Sequence, residues 1–260
     1  MNGITSLFHT ILLTPIFEVL KFLSLSTGSF GIAIILLTIV IRVLLIPLSL
    51  PMLNSQKKMK KLKPELDKLK AQHKSDAKAL QVAQMELYKQ HNINPLSGCL
   101  PYILQLVVII ALYSVLRSFV PDALKQGFVI QTKFLGLDLS KTDPTRIIPV
   151  LAALTQLILS LMILPGKEHR DLIPDTVKSK KLKELNKKEE NTAEMAETMQ
   201  KQMVFMMPLM TGWIALGFPA GLGLYWVITT VFSIIQQWAI TGPGGLENIA
   251  HTIQTKLKSK

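Results

Sequence analysis

The chain has 260 residues and a formal net charge of +12, and 49% of its residues are hydrophobic while only 18% are charged. This composition leaves too little polar surface for a soluble domain of that length and indicates a polytopic membrane protein. Because the lysines flank apolar segments, membrane topology and anionic lipids explain most of the positive charge, and no specific nucleic-acid site is expected.

The first segment, residues 1–29, has apolar side chains at helical spacing that Thr14, Glu18 and Lys21 interrupt. This pattern predicts an extracytoplasmic N-terminus with an amphipathic helix at the outer membrane interface. A sixth membrane span is the alternative, because the apolar length is borderline and two charges fall within it. A cleavable signal peptide is not favoured, since the first ten residues contain no lysine or arginine and no small-residue cleavage site follows.

Five later segments are apolar enough to cross a membrane. They are residues 30–53, 96–119, 146–164, 203–218 and 222–240. The fourth would be about 24 Å long as a helix, which is several Å short of the hydrocarbon core and would thin the bilayer locally. It joins the fifth through a tight outer turn at residues 219–221. The predicted fold is therefore all-α, with five transmembrane helices and the two termini on opposite sides.

Lysine placement predicts the orientation, because cytoplasmic loops carry the positive excess. Residues 54–95 contain ten lysines and are expected to be cytoplasmic, whereas residues 120–145 balance three lysines against three aspartates and fit the opposite side. Residues 165–202 and the basic tail, 241–260, then fall inside, and the N-terminus falls outside.

The cytoplasmic segment 54–95 contains two short apolar stripes at spacings of three and four residues, separated by a break near residues 73–76. The stripes are formed by Met59, Leu62, Leu66, Leu69, Leu80, Ala83 and Leu87. Two amphipathic helices would bury these positions against each other. The sequence therefore predicts an antiparallel helical hairpin that projects from the membrane.

Arg42 lies near the middle of the first predicted span. An ionised guanidinium costs about 2.5–3.5 kcal/mol at a bilayer centre and normally faces water or protein. Thr38 is four residues earlier and shares its helix face. The other polar residues within the spans are Gln105, Thr155, Gln156, Tyr225 and Gln236. Hydrogen bonds between helices are the alternative for Thr38 and Gln105. A hydrated pocket explains the whole set better, because the spans contain a cation and no acidic residue away from their ends.

Several enzyme classes lack their motifs here: no H-E-x-x-H, G-x-S-x-G or P-loop is present. The five histidines show no metal-ligand spacing, and Cys99 is the single cysteine. We therefore expect no enzyme, no cofactor and no metal. A transporter or channel that binds an anionic solute at Arg42 is a competing interpretation, although no internal repeat supports it. A structural scaffold is a third one.

Four segments carry a resemblance to a known family. They are LLTIVIRVLLIPL at residues 36–48, NPLSGCLPYILQ at 94–105, FPAGLGLYW at 218–226 and IIQQ at 234–237. Together they resemble the YidC/Oxa/Alb membrane protein insertases, and the chain looks like a short bacterial member without a large extracytoplasmic domain.

The resemblance implies a positively charged groove that is open to the cytoplasm and to lipid but closed outside. Arg42 matches the family's groove arginine, and Thr38, Gln105, Tyr225 and Trp226 match positions that line the groove or contact substrate. The implied activity is to receive nascent hydrophobic helices in the bacterial plasma membrane, to move short outer tails across, and to release the helix laterally into lipid. Nascent membrane proteins and lipids are the expected partners, the Sec translocon and the ribosome are further candidates, and a monomer suffices.

Overall fold

The computed structural model describes residues 3–73, 76–93, 100–163 and 204–246, and these residues are predominantly helical. They belong to two compact units. Unit 1 comprises Met1–Ser49, Cys99–Leu159 and Met207–Gln236, and unit 2 comprises Leu50–Gly98, Ser160–Met206 and Gln237–Lys260. The predicted loop 165–202, the motif residues 94–99 and most of the basic tail, 247–260, lie outside the described residues.

The helices begin and end as follows in chain order. They are α1 (Gly3–Phe8), a π-helical turn (His9–Leu13), α2 (Thr14–Thr27), α3 (Phe30–Leu44), α4 (Ile46–Lys61), α5 (Lys63–Gln72), α6 (Ala77–Gln90), α7 (Leu100–Lys125), α8 (Ile147–Ile163), α9 (Val204–Leu216) and α10 (Ala220–Thr241). A two-stranded antiparallel hairpin, β1 (Lys133–Phe134) with β2 (Leu137–Asp138), lies between α7 and α8. The predicted all-α fold is confirmed, apart from this small hairpin.

Three helical stretches of the described residues are long and apolar enough to cross a membrane. They are Ser6–Thr27, which runs from α1 through the π-helical turn to the end of α2, Leu104–Lys125 within α7, and Ala220–Thr241, which is α10. Each has 22 residues, which corresponds to about 33 Å of helix. The pair α3 and α4 forms a fourth candidate if its two helices count as one span, whereas α8 and α9 are shorter apolar helices. The count of five spans therefore stays a prediction.

The first predicted span, residues 30–53, is divided into α3 and α4 by a bend of 64° at Leu45. Pro47 lies two residues after the break and Pro51 lies inside α4. A proline lacks the backbone N–H of the helical ladder, and its ring clashes with the carbonyl four residues earlier. The prolines thus explain why this apolar run is bent.

The N-terminal helix α2 packs against the last turns of α7 and against α3. Phe17 contacts the ring of Phe119 edge-on, with 5.2 Å between centroids, and Phe30 stacks on the same ring at 5.1 Å. The Lys21 ammonium donates a hydrogen bond to the Gln126 side-chain oxygen at 2.6 Å, and Leu20 is completely buried. The alternative of a sixth span meets the length and hydropathy requirements, and the interfacial placement stays a prediction.

Two helices of the segment 54–95, α5 and α6, contact each other, and their arrangement as an antiparallel cytoplasmic hairpin stays a prediction. The Asp76 carboxylate caps α6 by accepting hydrogen bonds from the backbone N–H groups of Lys78 at 3.0 Å and Ala79 at 2.9 Å. His91, which follows α6, also lies near Glu65 of α5, with 3.6 Å between nitrogen and oxygen.

The loop between α7 and α8 is tied to the N-terminal ends of α3 and α10. The Phe30 N–H donates to the Gln131 carbonyl at 3.3 Å, and the N–H groups of Ala220 and Gly221 donate to the carbonyls of Lys141 and Leu139 at 2.7 and 2.9 Å. This loop therefore covers one end of the helix bundle in unit 1.

Two glycines permit close contacts between neighbouring elements of unit 1. A Cβ added at Gly31 would overlap the ring of Phe134 in β1. At Gly223 in α10, a Cβ would lie 2.5 Å from Cγ2 of Ile148 in α8. These two positions set how closely β1 approaches α3 and how closely α8 approaches α10.

Candidate functional site

Arg42 projects from α3 into a polar cluster that α7 and α10 complete. Its Nη2 donates a hydrogen bond to Oε1 of Gln105 at 2.9 Å, and its Nε donates to the hydroxyl of Thr229 at 3.4 Å. Gln105 Nε2 in turn donates to the hydroxyl of Tyr225 at 3.1 Å. Three helices that are distant in sequence therefore place Arg42, Gln105, Thr229 and Tyr225 together within unit 1, and we call these four residues the Arg42 cluster.

The partners of the guanidinium are neutral. Arg42 is half-buried, and within the part of the chain that the structure describes it forms no ion pair. Its Nη1 nitrogen has no hydrogen bond among the described residues, because the two recorded bonds involve Nη2 and Nε. The amide and hydroxyl oxygens orient the cation without neutralising it. The cluster can therefore attract an anionic group.

Polar contacts continue along α10 beyond the Arg42 cluster. Thr229 and Gln236 are seven residues apart and share a helix face. Gln236 Nε2 donates a hydrogen bond to the Ser49 hydroxyl of α4 at 2.7 Å. Arg42 and Ser49 are also seven residues apart in sequence. The two contacts form a polar line of about 10 Å along α10.

Thr38, a predicted site residue, lies in the core instead. It is 1% exposed, and its hydroxyl donates to the Ile34 backbone carbonyl of the same helix at 2.6 Å. A threonine commonly forms this bond to the preceding turn of its helix. The shared helix face with Arg42 is therefore used for packing in this structure, and among the described residues the hydroxyl bonds neither to the Arg42 cluster nor to another helix.

Trp226 was predicted as a site residue but lies outside the Arg42 cluster, whereas Thr229 belongs to the cluster but was not predicted. Trp226 is half-buried and follows Tyr225 directly, so it points about 100° away around α10 and does not join the cluster. Thr229 was not among the predicted residues, although it lies four residues after Tyr225 and hence on the same face. That spacing is the sequence signal that identifies it.

Among the described residues, no group of three or more His, Cys, Asp or Glu side chains is arranged to hold a metal ion.

The sequence matches the family model of the 60Kd inner membrane protein over residues 22–244. The chain belongs to the 60Kd inner membrane protein family. Two of its relatives are the membrane protein insertase YidC of Fusobacterium nucleatum and the membrane protein insertase MisCA of Bacillus subtilis. The first is 35% identical over 217 residues, which cover 84% of this chain and 88% of the relative. The second is 31% identical over 234 residues, which cover 88% and 77%.

One solved structure has the same fold. It is a crystal structure of an active YidC insertase with the first transmembrane domain resolved, and it matches with a TM-score of 0.61. The match covers 92% of this chain and 47% of that chain at 23% sequence identity. The resemblance to the insertase family found in the sequence is therefore confirmed, and the chain is a multi-pass membrane protein of this family.

The 60Kd family match includes the segment FPAGLGLYW, whose residues the structure explains in part. Gly221 and Gly223 allow close approach of the loop residue Leu139 and of Ile148 in α8, and Tyr225 brings its hydroxyl to Gln105. The segment thus combines tight packing at the start of α10 with a polar group of the cluster.

Proposed function

We propose that this chain is a membrane protein insertase whose Arg42 cluster receives the polar outer tail of a nascent hydrophobic helix. One observation carries the proposal: Arg42 is held by neutral oxygens and has no acidic partner among the described residues. A charged side chain within the membrane is costly in free energy, and it normally faces water or an anionic ligand. The insertase names of the two relatives supply the class of substrate.

The Arg42 guanidinium attracts an acidic substrate tail and replaces part of the hydration that the tail loses. Two unit charges 4 Å apart interact by about 4 kcal/mol at an effective dielectric constant of 20. An acidic tail that leaves water regains part of its lost hydration from the Arg42 guanidinium, while Gln105 and Tyr225 can reorient to donate hydrogen bonds. Entry of a short acidic tail into the membrane then becomes easier than it would be through lipid alone.

Burial of the substrate helix provides the driving force for insertion. Each apolar residue gains about 0.3–0.6 kcal/mol at a helix centre, so about 20 such residues gain about 6–12 kcal/mol. A single charge costs about 2.5–3.5 kcal/mol at the membrane centre. A short tail with one or two charges can therefore cross without ATP, and a long or heavily charged tail requires another machine. No catalytic residue or cofactor takes part.

The groove in this proposal opens to the cytoplasm and to lipid. Closure at the other end is supported by the loop 126–146, which is hydrogen-bonded to the ends of α3 and α10. The third and fifth predicted spans, which correspond to α8 and α10, would form the lateral slide along which the substrate helix reaches lipid. A monomer suffices for this one-sided groove, and the Sec translocon or the ribosome would act as delivery partners.

The test of the proposed function is insertion into proteoliposomes that contain only this chain. A small single-span protein with a short acidic outer tail is added, and protease protection measures how much of the tail has crossed. We expect protection well above that of empty liposomes. Insertion no better than in empty liposomes contradicts an autonomous insertase, and uptake of a small anion by the same vesicles would support a transporter instead.

We also propose that the N-terminus lies outside, with α2 at the outer interface and the hairpin α5–α6 in the cytoplasm. The packing of α2 on the last turns of α7, next to the covering loop, supports this placement. In a Cys99→Ser background, single cysteines at Gly3 and Lys133 should react with an impermeant maleimide on intact cells. A matched cysteine at Lys78 should react only after permeabilisation. Labelling of the Gly3 position only after permeabilisation would establish the sixth span.

A further inference from the structure

An open cleft lies beside the contact between the N-terminal helices and the second half of α7. Its volume is about 460 Å³, which is large enough for a small polar ligand. The π-helical turn His9–Leu13 lies on one wall, and such turns often occur at functional sites. The cleft is distinct from the Arg42 cluster and shares no residue with it.

Two polar stripes face each other across this cleft. His9, Thr14 and Glu18 line the N-terminal wall, and the wall formed by α7 carries Ser114, Ser118 and Asp122 at intervals of four residues. The α7 residues share a helix face at that spacing. The apolar side chains of Leu13, Phe17 and Val115 also line the cleft, and Lys125 and Gln126 line it where α7 ends. The cleft therefore offers both a polar surface and an apolar surface to one ligand.

The polar atoms of the cleft are mostly hydrogen-bond acceptors. The hydroxyls of Thr14, Ser114 and Ser118 each donate to a backbone carbonyl of their own chain segment, at 3.1, 2.9 and 3.4 Å. Their oxygens consequently retain only accepting capacity toward the cleft. The carboxylate of Glu18 has no hydrogen bond or ion pair within the described ranges and is another acceptor. This set suits a ligand with several N–H donors and a positive charge.

Two ammonium groups lie at this end of the cleft, because Lys125 lines it and Lys21 donates a hydrogen bond to the lining residue Gln126 at 2.6 Å. The Lys125 ammonium is exposed and pairs with Asp122 at 3.2 Å, where α7 ends. An ammonium has three donors, so Lys125 can also bind an anion beside Asp122. Acceptors inside the cleft and ammonium groups at its end match a molecule that carries an ammonium and a phosphate a few bonds apart.

We propose that this cleft binds the headgroup of an aminophospholipid of the phosphatidylethanolamine type. The primary ammonium is held by Glu18 and the serine oxygens, the phosphate by Lys125, and the start of the acyl chains by the apolar lining. A membrane lipid is the occupant that the position favours, because α7 contains a candidate span that ends at Lys125 and the placement proposed above puts α2 at the outer interface. The site would anchor the N-terminal helix to the bilayer, and it does not depend on the proposed insertase activity.

The experiment compares lipids that differ only in the headgroup. The purified full-length chain is equilibrated with equal amounts of phosphatidylethanolamine, phosphatidylcholine and phosphatidylglycerol bearing identical acyl chains, and native mass spectrometry counts the lipids retained. The ethanolamine and choline headgroups have the same charge, but only the former has N–H donors. We expect retention of the ethanolamine lipid to exceed that of the choline lipid by about tenfold, the size of one charge-assisted hydrogen bond.

Matched variants test which residues cause the preference for the ethanolamine lipid. Glu18→Gln should abolish the preference for ethanolamine over choline, and Lys125→Gln should weaken retention of both zwitterionic lipids. Lys141→Gln is the matched control, because Lys141 forms the same kind of exposed pair with Asp138 at 3.7 Å but lies outside the cleft. Glu86→Gln is the control for Glu18→Gln.

Equal retention of ethanolamine and choline lipids, or a preference that survives Glu18→Gln, would overturn the proposal. Cross-linking of a nascent chain rather than lipid to a photoreactive residue at Ser118 would also overturn it, in favour of a protein ligand.

Discussion

Replacing Arg42 with alanine is expected to reduce insertion of acidic-tailed substrates by about tenfold or more, because a hydrogen bond to a charged group contributes about 1.5–3 kcal/mol. Substrates with a neutral outer tail should lose less than about twofold, since burial of their apolar helix is unchanged. The measurement is protease protection in proteoliposomes with two substrates that differ only in the charge of the tail.

Two further substitutions separate charge from shape at this position. Arg42→Lys keeps the charge but loses the planar arrangement of donors, so partial activity toward acidic tails is expected. Gln105→Glu keeps the size of the side chain and places a carboxylate beside the guanidinium, while the Tyr225 hydroxyl can donate to that carboxylate. The internal ion pair would neutralise the cluster. Gln105→Glu should therefore mimic Arg42→Ala for acidic tails without loss of folding.

The control for Arg42 is Arg117→Ala, which removes an exposed arginine from α7. It should insert both substrates as the unaltered chain does, and the apparent melting temperatures of all variants show whether the fold is retained. Equal loss for acidic and neutral tails in well-folded Arg42→Ala protein would contradict the electrostatic step, although insertase activity itself would stand.

The polar cluster could largely be predicted from the sequence, because a charged or strongly polar residue within an apolar span is conspicuous. Arg42, Gln105 and Tyr225 were identified in this way, and the structure joins them by hydrogen bonds. Thr229 was missed because only its spacing of four residues from Tyr225 distinguishes it from the other threonines of the apolar helices. Conversely, the sequence could not show that the Thr38 hydroxyl bonds to its own helix, since that depends on a rotamer chosen by packing.

The fold was predictable to a similar extent. Apolar run lengths identified the helices, but they did not show that the run 30–53 bends by 64° at Leu45. The prolines after the bend are compatible with either a straight or a broken helix when neighbours can satisfy the backbone. The β1–β2 hairpin was also missed, because two strands of two residues each are too short to show periodicity. Its turn depends on Leu135 and Gly136, which both have positive φ.

Substitution of Gly223 is expected to lower the stability of the chain, because this residue lies at the contact between α8 and α10. A Cβ at Gly223 would lie 2.5 Å from Cγ2 of Ile148. This methyl is attached to the branched Cβ of Ile148 and cannot swing away as the end of a flexible side chain can. Gly223→Ala should therefore separate the two helices, and overpacking of this kind costs about 1–3 kcal/mol. The apparent melting temperature should fall by about 2–12 °C, at about 2–4 °C for each kcal/mol.

A compensating substitution tests whether this contact is the cause. Ile148→Ala removes the obstructing methyl, so Gly223→Ala should destabilise the Ile148→Ala background much less than it destabilises the unaltered chain. Gly217→Ala is the matched control, because a Cβ there would have its nearest neighbour at 3.7 Å, an ordinary contact distance. If Gly223→Ala lowers the melting temperature equally in both backgrounds, the close approach of α8 and α10 is not what Gly223 provides. If the double variant recovers stability but inserts substrates poorly, the separation of these two helices matters for release of the substrate as well as for folding.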